Sequence, residues 1–270
     1  MTQHDWVPPA LDISVPSGAR AYDYLLGGAH NFPADREMAI QVEHAVPGSR
    51  HLARINRAFL ARAVRFMIGQ GIRQLLDIGS GIPTVGNVHE IAQRGAPDCR
   101  VVYVDKDPIA FQHSELLLVG NKQAAAVHAD VRNPAAILDH DETRRLLNFD
   151  EPIGLLLLLV LHWIPDEDDP DALMAHYRDA LAPGSLLAIS HMTDELQQKK
   201  AKTLAGTINR SRGDQLAPRS RKEVAAFFGD FEQVKPGVVP TGVWRPDGVG
   251  DITEDPDLSA LSLAGIARKL

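Results

Sequence analysis

The segment Leu75-Leu76-Asp77-Ile78-Gly79-Ser80-Gly81 constrains this chain more than any other, because an apolar run stops there at two glycines one residue apart. Glycine lets a strand turn sharply into a helix and lets a ligand approach the backbone at the strand's carboxyl edge. The rest of the chain keeps the strand–helix rhythm that such a turn implies. Strands are predicted over 74–78, 100–104, 125–129, 153–161 and 186–190. Helices are predicted over 84–93, from Pro108 with Asp107 as its cap, and over 171–181, closed by Pro183-Gly184. The 153–161 run is apolar apart from Gly154, as a central strand covered on both faces must be. The pattern predicts an α/β fold with a doubly wound, mostly parallel sheet, to which 231–234 and 261–267 add the last two strands.

The first seventy residues read differently. Short helices are expected over 19–26, ending at Gly27-Gly28, and over 35–45, ending at Pro47-Gly48. A longer one carries Leu52, Ile55, Phe59, Ala63 and Phe66 at helical spacing, with Ser49 as its cap and Gly69 and Gly71 closing it. Residues 1–70 are therefore expected to cap, within a single domain, the Rossmann-like part formed by 71–270. A chain of 270 residues suits one α/β domain with such an elaboration.

Composition narrows the function. A net charge of -7 argues against a polyanion-binding surface, so no nucleic-acid partner is expected. The basic run Lys199, Lys200, Lys202, Arg210, Arg212, Arg219, Arg221 and Lys222 reads as a solvated helix–loop face, since no aromatics interleave it. The single cysteine, Cys99, makes neither an intramolecular disulfide nor a multi-cysteine zinc site, and no metal is expected. The longest apolar stretch, 155–161, is far short of the ~20 residues that cross a bilayer, and the first residues lack the pattern of a signal peptide. A cytoplasmic protein with no membrane partner is the expectation.

Three carboxylates sharpen the glycine turn. Asp77 lies inside it; Asp105, 24 residues beyond Gly81, ends the second strand; Asp130 follows the third. A carboxylate at Asp105 can accept hydrogen bonds from both hydroxyls of a ribose, and one at Asp130 can reach an adenine amino group. An ordinary loop cap is the competing reading of Asp130. A dinucleotide site wants a third glycine where Thr84 stands and would sit poorly beside Asp77. An acid there suits a ligand bearing an ammonium and a sulfonium. S-adenosylmethionine is therefore the expected cofactor, held by Asp77, Gly79, Ser80, Gly81, Asp105, Lys106, Asp130 and Val131.

These motifs, together with Pro16-Ser17-Gly18-Ala19-Arg20-Ala21-Tyr22-Asp23-Tyr24-Leu25-Leu26-Gly27-Gly28, Asn31-Phe32-Pro33-Ala34-Asp35-Arg36, Trp244-Arg245-Pro246 and Gly265-Ile266-Ala267-Arg268-Lys269, resemble a bacterial S-adenosylmethionine-dependent methyltransferase family formerly catalogued as a domain of unknown function. The resemblance spans nearly the whole chain. It implies a class I methyltransferase sheet of seven strands with an N-terminal helical cap over the cofactor pocket, and it names no acceptor. Tyr22, Tyr24, Asn31, Asp35 and Arg36 are expected to form a lid that contacts cofactor and acceptor, with Trp163 opposite. Ile82-Pro83 after the glycine turn departs from the family's pattern and stiffens the helix entry.

Methyl transfer needs mainly alignment and exclusion of water. The expected catalytic residue is His162, at the carboxyl edge of the central strand, where a base can take an acceptor's proton; a histidine that merely closes the pocket is the competing reading. His191 is a weaker second candidate. The expected function is methyl transfer to a small-molecule acceptor. The alternatives are a non-catalytic module that binds S-adenosylmethionine or S-adenosylhomocysteine, or an NAD(P)-dependent oxidoreductase.

Overall fold

The structure is a computed structural model that describes residues 11–84, 86–210, 215–248 and 256–270. Three helices come first: α1 (Gly18–Leu26), α2 (Pro33–Ala45) and α3 (Ser49–Gly69). Then β1 (Gln74–Ile78), α4 (Val88–Gly95), β2 (Arg100–Asp105), α5 (Pro108–Leu117) and β3 (Ala124–His128) alternate. Short helices α6 (Pro134–Leu138) and α7 (Asp141–Leu146) lead to β4 (Gly154–Leu158), α8 (Pro170–Ala180) and β5 (Leu186–Met192). The remainder holds α9 (Gln198–Ile208), α10 (Arg221–Ala226), β6 (Glu232–Gln233), β7 (Val239–Pro240), α11 (Pro256–Ser259) and β8 (Ser262–Arg268).

The sheet runs β3-β2-β1-β4-β5-β8-β6, with the first five strands parallel and β8 antiparallel to both of its neighbours. The two-residue β7 also pairs with β8, so the sheet has eight strands rather than seven. The order reverses between β1 and β4, both of which are buried along their whole length. A ligand crevice opens at such a switch point, outside the carboxyl ends of the strands.

Alternate residues of each strand feed different cores, which is why these strands read as continuous apolar runs. Leu76, Ile78, Leu155 and Leu157 pack with Met174, Tyr177, Phe227 and Phe228 on one face. Leu75, Leu156 and Leu158 pack with Phe59, Leu60, Ala63, Val64 and Met67 of α3 on the other. So α3 does more than cap: its second half is a covering layer of the sheet, and its first half reaches the crevice. Trp244 fixes it there. Its buried indole meets Phe59 and Phe66 edge-on at 5.5 and 5.7 Å, while Arg62 donates to the carbonyls of Trp244 and Thr241.

Two predicted elements shift, and one surface reading changes. The helix expected from residue 84 begins at Val88, because Glu90 accepts from the Asn87 amide and caps the helix there, while the Asn87 side chain accepts from the Thr84 amide. The strand expected to reach residue 161 ends at Leu158, where Leu159 takes a φ of 54° and turns the chain away. The basic run is not uniformly a solvated face. Lys199 and Lys202 are exposed on α9, but Arg219 is buried and binds the carbonyls of Leu161 and Ile164 and the Asp166 carboxylate. Arg212 lies outside the described residues.

Candidate active site

A cavity of about 700 Å³ lies at the carboxyl edge of β1, β2 and β4 and is roofed by α1, α2 and α3. The sheet supplies its floor. Gly79 follows β1 with a φ of 72°, and its amide donates to the Val104 carbonyl at 2.8 Å. A Cβ on Gly79 would lie 2.5 Å from Val160 Cγ2, so the position must be glycine for its backbone and its packing alike. Gly81, with a φ of 68°, has open space where a Cβ would stand.

Asp77 turns out to be the penultimate residue of β1 rather than part of the turn, and it is 4% exposed. Burial pushes its carboxyl up to about 7, against the pull of the Arg57 guanidinium, with Asp105 pushing the same way as burial. Asp105 Oδ2 accepts from the Gly81 amide at 2.7 Å and Oδ1 from the Asp107 amide at 2.8 Å. Burial raises it to about 6, and these amides hold it back from rising further. Each oxygen keeps a lone pair for another donor. Asp130 lies less deep: its Oδ1 accepts from the Arg132 amide at 2.9 Å, so it does cap its own turn while also lining the cavity. Ser80, Lys106 and Val131 line the same cavity, and the Tyr177 hydroxyl donates to the Val131 carbonyl.

The turn after β4 forms the opposite wall. His162 and Trp163 lie there on one 3-10 turn. His162 is 3% exposed, and its Nδ1 has no partner among the described residues. Burial, with His191 and Arg219 adding to it, holds its pKa well below the usual histidine value, so its ring is neutral at physiological pH. His191 does not line the cavity. Its Nδ1 meets the Met192 carbonyl at 2.7 Å and its Nε2 meets Arg219 at 3.2 Å, so it is already committed.

The expected lid separates into two groups. Tyr22 lines the cavity; its hydroxyl donates to the Ala53 carbonyl at 2.9 Å and accepts from Asn56, whose Oδ1 takes the Ser190 hydroxyl. Trp163 also lines it and packs against α1 so closely that a Cβ on Gly18 would lie 3.0 Å from its ring. Tyr24, Asn31, Asp35 and Arg36 do not reach the wall. Asp35 is fully buried and accepts from Ser17, Arg20 and Phe32. Asn31 donates to Asp23 and Gly28 and accepts from Arg36, while the Tyr24 ring packs under Arg50. These four are engaged in the roof's own contacts, as buried polar groups in a folded chain must be.

A model of the S-adenosyl methyltransferase family matches residues 4–270. The chain belongs to that family. Two crystal structures resemble it at a TM-score of 0.91. One is a candidate methyltransferase from Thermobifida fusca YX, 44% identical, covering 98% of this chain and 99% of that one. The other is a DUF574 family protein from Streptomyces avermitilis MA-4680, 37% identical, covering 96% and 99%. The plantazolicin methyltransferase BpumL, solved with a triazolic desmethylPZN analogue and S-adenosylhomocysteine, shares the fold at 13% identity and a TM-score of 0.53, over 93% of this chain and 95% of that one. No curated protein matches by sequence.

The family's cofactor is S-adenosylmethionine, and the donor set of this cavity fits it. A buried carboxylate raised by burial, Asp77, gains most from a cationic ligand. Gly81 leaves open space beside it, and Asp105 retains acceptor capacity. Sequence reading missed three residues of the wall. Asn56 and Arg57 were hidden inside the apolar periodicity of α3. Arg20, buried between Asp35 at 2.9 Å and Asp107 at 3.3 Å, ties the roof to the α5 cap. It had a signal, a cation within a run of small residues, but its partners are remote in sequence. Among the described residues, no helix is long and apolar enough to cross a membrane.

Proposed function

We propose that this protein transfers the methyl group of S-adenosylmethionine to a small-molecule acceptor. The observation that carries this reading is that one cavity joins three strand-end carboxylates to a neutral buried histidine beneath a helical roof. When bound, the cofactor supplies a methyl group already activated on its sulfonium. Asp77 would face its ammonium, Asp105 would accept from its ribose hydroxyls and Asp130 from its adenine amino group. Gly79, Ser80 and Gly81 would let the ligand lie against the backbone, with Lys106 and Val131 beside the adenosyl part.

Tyr22 and Trp163 bound the acceptor, and the roof excludes water, which otherwise competes as nucleophile. Nδ1 of His162 is enclosed by protein, so Nε2 is the ring atom left for the acceptor. With its proton on Nδ1, Nε2 holds the acceptor's N–H or O–H and takes that proton as the acceptor's acidity rises during attack. Tyr24, Asn31, Asp35 and Arg36 act only through the roof they hold.

Calorimetry with S-adenosylmethionine, S-adenosylhomocysteine and NAD, followed by transfer of labelled methyl into a metabolite extract, tests this. Binding of the first two and label in a small molecule are expected. Cofactor binding with no transfer to any component would leave a non-catalytic binding module instead.

A further inference from the structure

The cavity continues past the carboxylates into a chamber of a different character. Its walls there come from Met38 and Val42 of α2, Met192 at the end of β5, Leu204 and Ile208 of α9, and Leu216. None of these side chains is ionisable, and most belong to one buried apolar cluster. Every charged lining residue among the described ones lies elsewhere, in the segment before α1, in α1 and α3, or at the β1–β3 edge. The lysines of α9 do not line the cavity: Lys199 and Lys202 are exposed and Lys200 is half-buried, whereas the buried Leu204 and Ile208 line it.

The neutral polar side chains Tyr22 and Asn56, which line the cavity, are mostly spent. The Tyr22 hydroxyl, the Asn56 amide and the Ser190 hydroxyl are bonded to one another and to the Ala53 carbonyl. His162 lines the wall with its ring unpaired at Nδ1 and held neutral. A charged ligand entering such a chamber loses its hydration and meets no counter-charge among the described residues of this wall, whereas a neutral one with a single donor loses little. The volume, about 700 Å³ for cofactor and acceptor together, suits a small compound rather than a polymer.

We propose that the acceptor is an uncharged, largely apolar molecule with one N–H or O–H, seated beside the packed pair α2 and α9 with that group toward His162. This rests on the methyltransferase reading above and names its substrate class. Four bicyclic probes of matched size test it by calorimetry on the S-adenosylhomocysteine-loaded protein: 2-naphthol, naphthalene, 2-naphthoate and 2-naphthylmethylamine. The first should bind at least about tenfold more tightly than the carboxylate or the ammonium.

Leu204→Trp, which fills the chamber, should weaken 2-naphthol binding by about tenfold or more while leaving the S-adenosylhomocysteine Kd within about threefold. His162→Phe should bring 2-naphthol down to the affinity of naphthalene. A charged probe that binds as tightly as 2-naphthol overturns the proposal, as does 2-naphthol binding that ignores Leu204→Trp or is absent. If the variants fail to fold, the four-probe comparison on the native chain still decides. Failure of the cofactor reading shows separately, as absent S-adenosylhomocysteine binding, and the probes are then titrated into the free protein.

Discussion

At the sheet edge, the cavity wall carries Asp77 of β1, Asp105 at the end of β2 and Asp130 two residues beyond β3, the last two held by backbone amides. Beside α2 and α9, the described wall carries no charge at all and is fixed by apolar packing. The first end is suited to discriminate by electrostatics, because buried carboxylates reward a cationic ligand. The second discriminates by desolvation, because it rejects what it cannot neutralise. The turn 159–163 joins them, and Leu159 there accepts a left-handed backbone, at a cost of roughly 1–2 kcal/mol, to aim Val160 at Gly79 and His162 at the cavity.

Four experiments test that division. The largest effect is expected from His162→Ala, which should lower kcat by about 10²–10⁴-fold, the usual worth of a proton-transfer group, and leave S-adenosylhomocysteine affinity nearly intact. A collapse of cofactor affinity would move His162 to the other end. Next comes the joint. Gly79→Ala must strain a positive φ and displace Val160, so thermal or urea unfolding should show a loss of about 2–5 kcal/mol, against about 1–2 kcal/mol for Gly81→Ala, which meets no neighbour. Equal losses would mean that Val160 yields.

Asp105→Ala should weaken cofactor binding by about 1–3 kcal/mol in calorimetry, the cost of removing a buried bonding partner, and spare the binding of uncharged probes. The smallest effect is on pH. Asp77, raised to about 7, is largely protonated below that pH and must release its proton to meet an ammonium. Cofactor affinity should therefore fall as pH drops through 7, by up to about tenfold per unit, and level off above it. The kcat should not follow, since burial keeps His162 neutral across that range. A pH-independent Kd would detach Asp77 from the ammonium.

The sheet was legible because its strands announce themselves twice, by composition and by the turns that end them. Strand β1 matches its predicted bounds, and β2, β3 and β5 lie within two residues of theirs. Of the elements that shifted, the start of α4 was set by a capping box at Asn87 and Glu90, a local signal that sequence reading missed, and the end of β4 by a left-handed Leu159, which no local pattern announces. At the site, residues adjacent to strand ends were predictable, since topology alone brings them together. The roof was not. The family resemblance makes Asp35 and Arg36 lid residues, yet the first is bonded to Arg20 and two amides and the second to Asn31.

By itself, then, the sequence determined the sheet, the glycine turn and the three acids at its edge, because strand periodicity and glycine's freedom are local properties that any fold must respect. Only the tertiary structure decided which polar groups of the roof remain free, that α3 serves both sheet and cavity, and that the far chamber holds no charge among the described residues. Those outcomes depend on partners distant in the chain, and burial fixes a side chain's chemistry only once its neighbours are in place.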